Sequence, residues 1–144
     1  HNCFPGGLID HSLRVCKNLF KLTKTFYDGQ WDEGTLILVS LLHCIGSVGN
    51  LEHEQYVPQK SKWHKDKGML YEFNNDLTYM ETSDRSLFLL QSFEVTLSEE
   101  EFLAIKLFSG SAQDSNKMYI YNQPILAQLL NQAYMLAIRQ EKDE

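Results

Sequence analysis

Residues 4–15, FPGGLIDHSLRV, and residues 41–50, LLHCIGSVGN, decide the fold. In the first stretch Pro5, Gly6 and Gly7 make a turn. Leu8, His11, Val15, Leu19, Leu22 and Phe26 then recur at steps of three and four, the period of a helix that buries one stripe. Asp28 and Gly29 end it. The second stretch closes a helix that Asp32 can cap and that is expected to run through Ile45. Its segment 35–42 is nearly all apolar, which predicts a central, buried helix, and Gly46 and Gly49 break it. His11 lies on the buried stripe of the first helix and His43 near the end of the second. Either histidine alone reads as an inert, hydrogen-bonded core residue. Two of them on adjacent core helices make the beginning of a metal site.

Outward from these helices the pattern stays mostly helical. Residues 47–67 are polar, carry Pro58 and read as a long loop. Residues 69–73 and 77–80 are β-prone around Asn74, Asn75 and Asp76, which predicts a small hairpin. Ser83 or Asp84 can cap a third helix through Phe93. Ser98 with Glu101 is a capping box for a fourth, through about Leu107, and Glu99, Glu100 and Glu101 suit a helix N-terminus. Residues 109–122 read as a second polar loop. Pro124 opens a final helix marked by Ile125, Leu129, Leu130, Ala133, Leu136 and Ala137, and residues 140–144 read as a fraying tail. The expected architecture is all-α: about five main helices and a small β-hairpin.

The bulk numbers fit one domain over residues 1–144. With 43% hydrophobic and 22% charged residues, the chain can bury one core. A formal net charge of -6 disfavours general binding to nucleic acid, because the field repels phosphate backbones at long range. Lys60, Lys62, His64, Lys65 and Lys67 form the one basic run that can hold a nucleotide, and Trp63 with His64 can rim such a pocket; a solvated loop is the plainer reading. Phe108, Tyr119, Tyr121 and Tyr134 can stack a base, or simply pack. Cys3, Cys16 and Cys44 are odd in number and widely spaced, which reads as reduced thiols in a cytoplasmic setting. No apolar run reaches membrane-spanning length, and no signal peptide is seen. A start at His1, inside a motif, reads as a fragment of a longer chain.

The two opening stretches resemble the HD-domain phosphohydrolases, in which a histidine on one helix is followed by a His-Asp pair on the next. The likeness is nearest to small phage HD proteins and to the HD module of YhaM-type exoribonucleases. It extends through WHKDKG, YEFNNDLTYM, RSLFLLQSF and LSEEEFLAIKL, and so covers nearly the whole chain. It implies a helical HD bundle in which histidines and aspartates hold one or two divalent metals that activate water against a phosphoester. His11 and His43 match ligands. Cys44 stands where the paired aspartate is expected, Asp84 where a histidine is, Phe108 and Ser109 where a second His-Asp pair is, and Tyr134 where the last helix supplies an aspartate.

These departures imply a degenerate site. Hard divalent cations want oxygen donors, chiefly carboxylates, and two imidazoles alone do not hold catalytic Mg²⁺ or Mn²⁺. The phenol of Tyr134 stays protonated at neutral pH. No cofactor is therefore expected. The alternative is a divalent metal (Zn, Mn or Ni), with His11, His43 and Cys44 as a soft ligand set, although no fourth ligand is evident. Three functions follow. The chain is a catalytically impaired domain that binds a small nucleotide or a protein partner. Or it is an active phosphohydrolase on nucleotides or nucleic acid, through non-standard ligands such as Asp84, Asp114, His53 or His64. Or it is a structural domain of a larger protein in a bacterial or phage-infected cell. His64, Lys65, Phe108 and Ser109 are the expected ligand contacts.

Overall fold

A computed structural model describes residues 4–143. Six α-helices and one two-stranded sheet follow in order: α1 (Gly7–Phe26), α2 (Glu33–Leu42), β1 (Tyr56–Pro58), α3 (Lys62–Asp66), β2 (Tyr71–Phe73), α4 (Thr82–Ser92), α5 (Glu99–Lys106) and α6 (Ile125–Lys142). The all-α expectation holds, with five helices of eight residues or more and one small hairpin. No helix among the described residues is long and apolar enough to cross a membrane.

The opening helix buries the middle of the stripe its spacing predicts, with His11, Val15 and Leu19 inside, whereas Phe26 at its end is exposed. That stripe packs mainly against α6 and α2. Asp32 caps α2, its carboxylate accepting from the Thr35 amide at 2.9 Å. The core joins Val15 and Leu19 to Leu36 and Val39 of α2, Ala104 and Ile105 of α5, and Leu126, Leu130, Ala133 and Ala137 of α6. The apolar run of α2 is less central than its composition suggests: Leu36, Val39 and Ser40 are buried, but Ile37 faces solvent.

Four boundaries differ from the sequence reading. First, α2 stops at Leu42. His43 keeps helical dihedrals, Cys44 leaves them (φ −116°, ψ 19°), and residues 45–48 form a 3₁₀ turn. The cause is α4. Its Ser86 hydroxyl lies 2.9 Å from the His43 carbonyl and accepts from the Gly46 amide at 2.9 Å. A Cβ on Gly46 would stand 2.3 Å from the Thr82 carbonyl oxygen, so the two backbones approach more closely than any side chain allows.

Second, the hairpin pairs different segments. Tyr56 lies opposite Phe73 and Pro58 opposite Tyr71, so β1 comes from the presumed loop and residues 77–80 form no strand. Asn74 does turn the chain, its side-chain oxygen accepting from the Asp76 amide at 3.0 Å. Its side-chain amide, however, donates to the Glu54 carbonyl at 2.9 Å, which ties the turn back to the β1 side. The two presumed loops hold short helical turns: α3 in the first, and 3₁₀ turns at residues 110–112 and 114–119 in the second.

Third, neither Ser83 nor Asp84 caps α4. The helix begins at Thr82 behind Glu81, Ser83 is buried within it, and Asp84 pairs with Lys106. Fourth, α6 does not fray at Gln140 but stays helical through Lys142. Asn18 on α1 donates to the Gln140 side chain at 3.1 Å and helps hold the last turn.

The capping box at α5 forms as read: the Ser98 hydroxyl accepts from the Glu101 amide at 3.2 Å, and Glu101 accepts from the Ser98 amide at 2.8 Å. Ser98→Ala should lower stability by ~1 kcal/mol, the usual worth of an N-cap hydroxyl. Urea unfolding should show a lower midpoint at unchanged slope.

Candidate functional site

Three helices converge on one buried point. His11 arrives from the middle of α1, His43 and Cys44 from the broken end of α2, and Tyr134 with Glu141 from the inner face of α6. The His11 and His43 rings lie 5.6 Å apart between centroids. One ligand atom from each of His11, His43 and Cys44 falls within 4.8 Å of the others, and all three residues are buried. Adjacent positions on a regular helix would point ~100° apart. His43 and Cys44 converge because Cys44 has already left helical geometry.

Each histidine has its Nδ1 engaged. His43 Nδ1 donates to the Ser40 carbonyl at 2.8 Å, which fixes the neutral tautomer with the lone pair on Nε2. That Nε2 is buried and finds no hydrogen-bond partner among the described residues. His11 Nδ1 bonds Glu141 Oε1 at 2.6 Å, and the Glu141 side chain is wholly buried. A carboxylate behind one imidazole and a carbonyl behind the other hold the two rings in place, as the outer partners of metal-binding histidines do.

His43, Cys44 and Tyr134 are uncharged at ordinary pH. Burial pushes His43 down to about 3; the Ser40 carbonyl opposes the shift and His11 adds to it. Burial likewise pushes the Cys44 thiol up to about 11, with the Ser12 hydroxyl, 3.7 Å from the sulfur, opposing. The Tyr134 phenol is raised by burial first, then by the charges of Cys44 and Glu141.

Two rings seal this point from one side. Phe108 meets the His43 ring edge-on at 4.8 Å and Tyr134 meets the His11 ring at 5.4 Å, while Phe108 and Tyr134 touch each other at 5.0 Å. Both also line a cleft of about 390 Å³, with Tyr56 and Phe73 of the hairpin, Tyr79, Gln55, Glu81, Gln113 and Ser109. Neither histidine lines it. A larger hollow of about 460 Å³ lies elsewhere, between α4 and α5, and shares no residue with the chemistry at the histidines.

The remaining expected residues lie apart. The Asp84 carboxylate is held by Lys106 at 2.5 Å; from that turn of α4 it is Thr82 and Ser83 that reach the cleft. His64 sits on α3 with its ring edge against Trp63, and neither it nor Lys65 lines the cleft. Asp114 pairs with Lys117 on the surface and His53 is exposed. Among the described residues, His11, His43 and Cys44 are the group of His, Cys, Asp or Glu able to hold a metal ion. Tyr121 is exposed and, like Tyr119, takes no part in the cleft. Cys16 and Cys44 are free thiols, and Cys3 lies outside the described residues.

Glu141 is the residue that composition hid. It stands seven positions after Tyr134, with Ala137 between, so steps of three and four had placed it on the inner stripe all along. A hard divalent ion does not fit these donors: the cluster offers two imidazoles and a thiol, and the one buried carboxylate beside it is engaged with His11. No protein-family model, no curated protein and no solved structure matches the chain.

Proposed function

We propose that the chain is a degenerate HD-type domain that binds a small planar ligand, a nucleotide through its base, without hydrolysing it. One observation carries the reading. Phe108 and Tyr134 form the inner wall of the cleft and at the same time pack against the two histidines. Any phosphoester in the cleft is thereby separated from the imidazoles by two aromatic rings. Water activation needs a metal that lowers the pKa of its bound water, and the donors here do not suit the hard ions used for that purpose.

The cleft itself favours a base over a phosphate. Tyr56, Phe73, Tyr79, Phe108 and Tyr134 offer stacking faces, and Gln55 and Gln113 offer amide donors and acceptors. Its one charged lining residue is Glu81, which also accepts from Gln113 and Ser115. Free thiols support a reducing, cytoplasmic setting.

Nucleosides should bind saturably and shift the ring resonances of Tyr79 and Tyr134 in NMR spectra. Tyr134→Ala should weaken binding by roughly 10-fold or more, the worth of one stacked base. Turnover of bis-p-nitrophenyl phosphate with Mn²⁺ should be absent, and turnover abolished by His11→Ala would contradict the proposal. A second reading, a protein partner, is supported by the groove between α4 and α5, where Phe88 and Phe102 remain about half exposed.

A further inference from the structure

We propose that His11, His43 and Cys44 form a buried three-donor binding site for a soft transition-metal ion, zinc, that clamps α1 to the end of α2, with water as the fourth ligand. The inference goes beyond the binding cleft and does not depend on it, since the cleft and the cluster lie on opposite sides of Phe108 and Tyr134. Three observations carry it. The donor atoms of the three residues already lie within 4.8 Å of one another, in the buried interior. The Nε2 of His43 is a buried lone pair with no hydrogen-bond partner among the described residues, a state that native interiors rarely tolerate. The Nδ1 atoms of both histidines are held from behind, by Ser40 and by Glu141, so the two rings are oriented before any ion arrives.

The chemistry of the donors selects the ion. Two neutral imidazoles and a thiolate suit Zn²⁺ and not Mg²⁺ or Mn²⁺. Zinc sits ~2.0–2.1 Å from nitrogen and ~2.3 Å from sulfur, so the donors would draw together by roughly 1 Å on binding. The thiol of Cys44 would give up its proton to solvent as the Zn–S bond forms, because a coordinating thiol is deprotonated outright. Phe108 and Tyr134 stand between the cluster and the cleft, so the ion's part is to hold the helices together and not to meet a ligand in the cleft. Glu141 is a positioning residue: it touches His11 and not the ion.

Cobalt serves as the spectroscopic probe and zinc as the physiological ion. Co²⁺ added to the metal-free protein should give intense visible absorption from tetrahedral coordination and a near-ultraviolet thiolate-to-cobalt band. The Cys3→Ser/Cys16→Ser protein should give the same spectrum. Cys44→Ser, which changes only the sulfur, should lose the thiolate band while its far-ultraviolet circular dichroism stays that of the wild type. Glu141→Gln should keep both bands and weaken affinity by roughly 10- to 100-fold, as loss of an outer partner does. Zinc in excess should raise the melting temperature of the wild type by several degrees, whereas Mn²⁺ should not. Absence of both bands and of any zinc-induced shift would overturn the proposal. So would a thiolate band that survives Cys44→Ser and disappears in Cys3→Ser/Cys16→Ser.

Discussion

Replacing Cys44 and Tyr134 together by aspartate should give a protein that melts roughly 10 °C below wild type without metal and recovers when Mn²⁺ is added. Cys44 is 5% exposed, and Tyr134 packs on both histidine rings. Aspartate at 134 leaves part of the ring's volume empty, which is destabilising in proportion to the cavity. Two carboxylates would also lose water beside Glu141, whose charge already disfavours ionisation of Cys44 and Tyr134. Together these terms reach several kcal/mol. Yet the same substitutions supply the hard oxygen donors that the native cluster lacks, next to two imidazoles whose rings are already held in place. An ion that binds only the folded state restores stability in proportion to the logarithm of its concentration. Wild type should be indifferent to Mn²⁺ in the same melting experiment. A double variant that folds but responds to no divalent metal would show that positions 44 and 134 do not flank a common site, and would remove the case for a disarmed HD centre.

Acid should unfold the protein over a window set largely by His43. Burial holds this imidazole at about 3, while the unfolded chain titrates near the ordinary 6.5. Between those values the unfolded chain takes up a proton that the folded protein refuses. Stability should therefore fall as pH drops from about 6.5 towards 3 and level off below, a loss of several kcal/mol, a large part of what a domain this size commonly has. Cys44 sets the opposite limit. Its thiol is held at about 11 against 9.0 unfolded, so above pH 9 the unfolded chain releases a proton and stability falls as pH rises towards 11. Urea unfolding across this range, with a chelator present so that no ion holds the thiolate, should show a plateau between about 6.5 and 9. The acid slope should shrink in His43→Gln, which has nothing to protonate there. An equal acid slope in that variant would place the titration elsewhere.

The helices were legible because their signals are local. Steps of three and four gave α1, Asp32 gave the start of α2, and Ser98 with Glu101 gave α5 before any contact was known. What the sequence concealed was decided between distant segments. α2 ends at Leu42 because Ser86 of α4 engages the carbonyl of its C-cap, His43, and nothing near residue 43 announces that. β2 chose a partner 15 residues upstream over the nearer segment after Asn74. The same division holds at the site. His11 and His43 meet, as their places on two core helices suggested, and Cys44 and Tyr134, singled out only through the resemblance, lie beside them. Asp84 does not, because Lys106 lies within reach of it. Glu141 was hidden by charged neighbours that read as a solvated tail, although its spacing from Tyr134 already carried the information.

The contact between His11 and Glu141 joins positions 130 apart. Closing so long a span is slow, because the chain entropy is lost before the bond rewards it. On a ribosome adding ~5–20 residues per second, α1 and α2 are made well before α6. Until α6 arrives, the faces of α1 and α2 that it covers stand open to water, and His43 titrates like an exposed imidazole. The nascent domain therefore passes through a stage in which its sticky inner surfaces are bare, and a chain stalled before residue 141 would be held there as a substrate for chaperones.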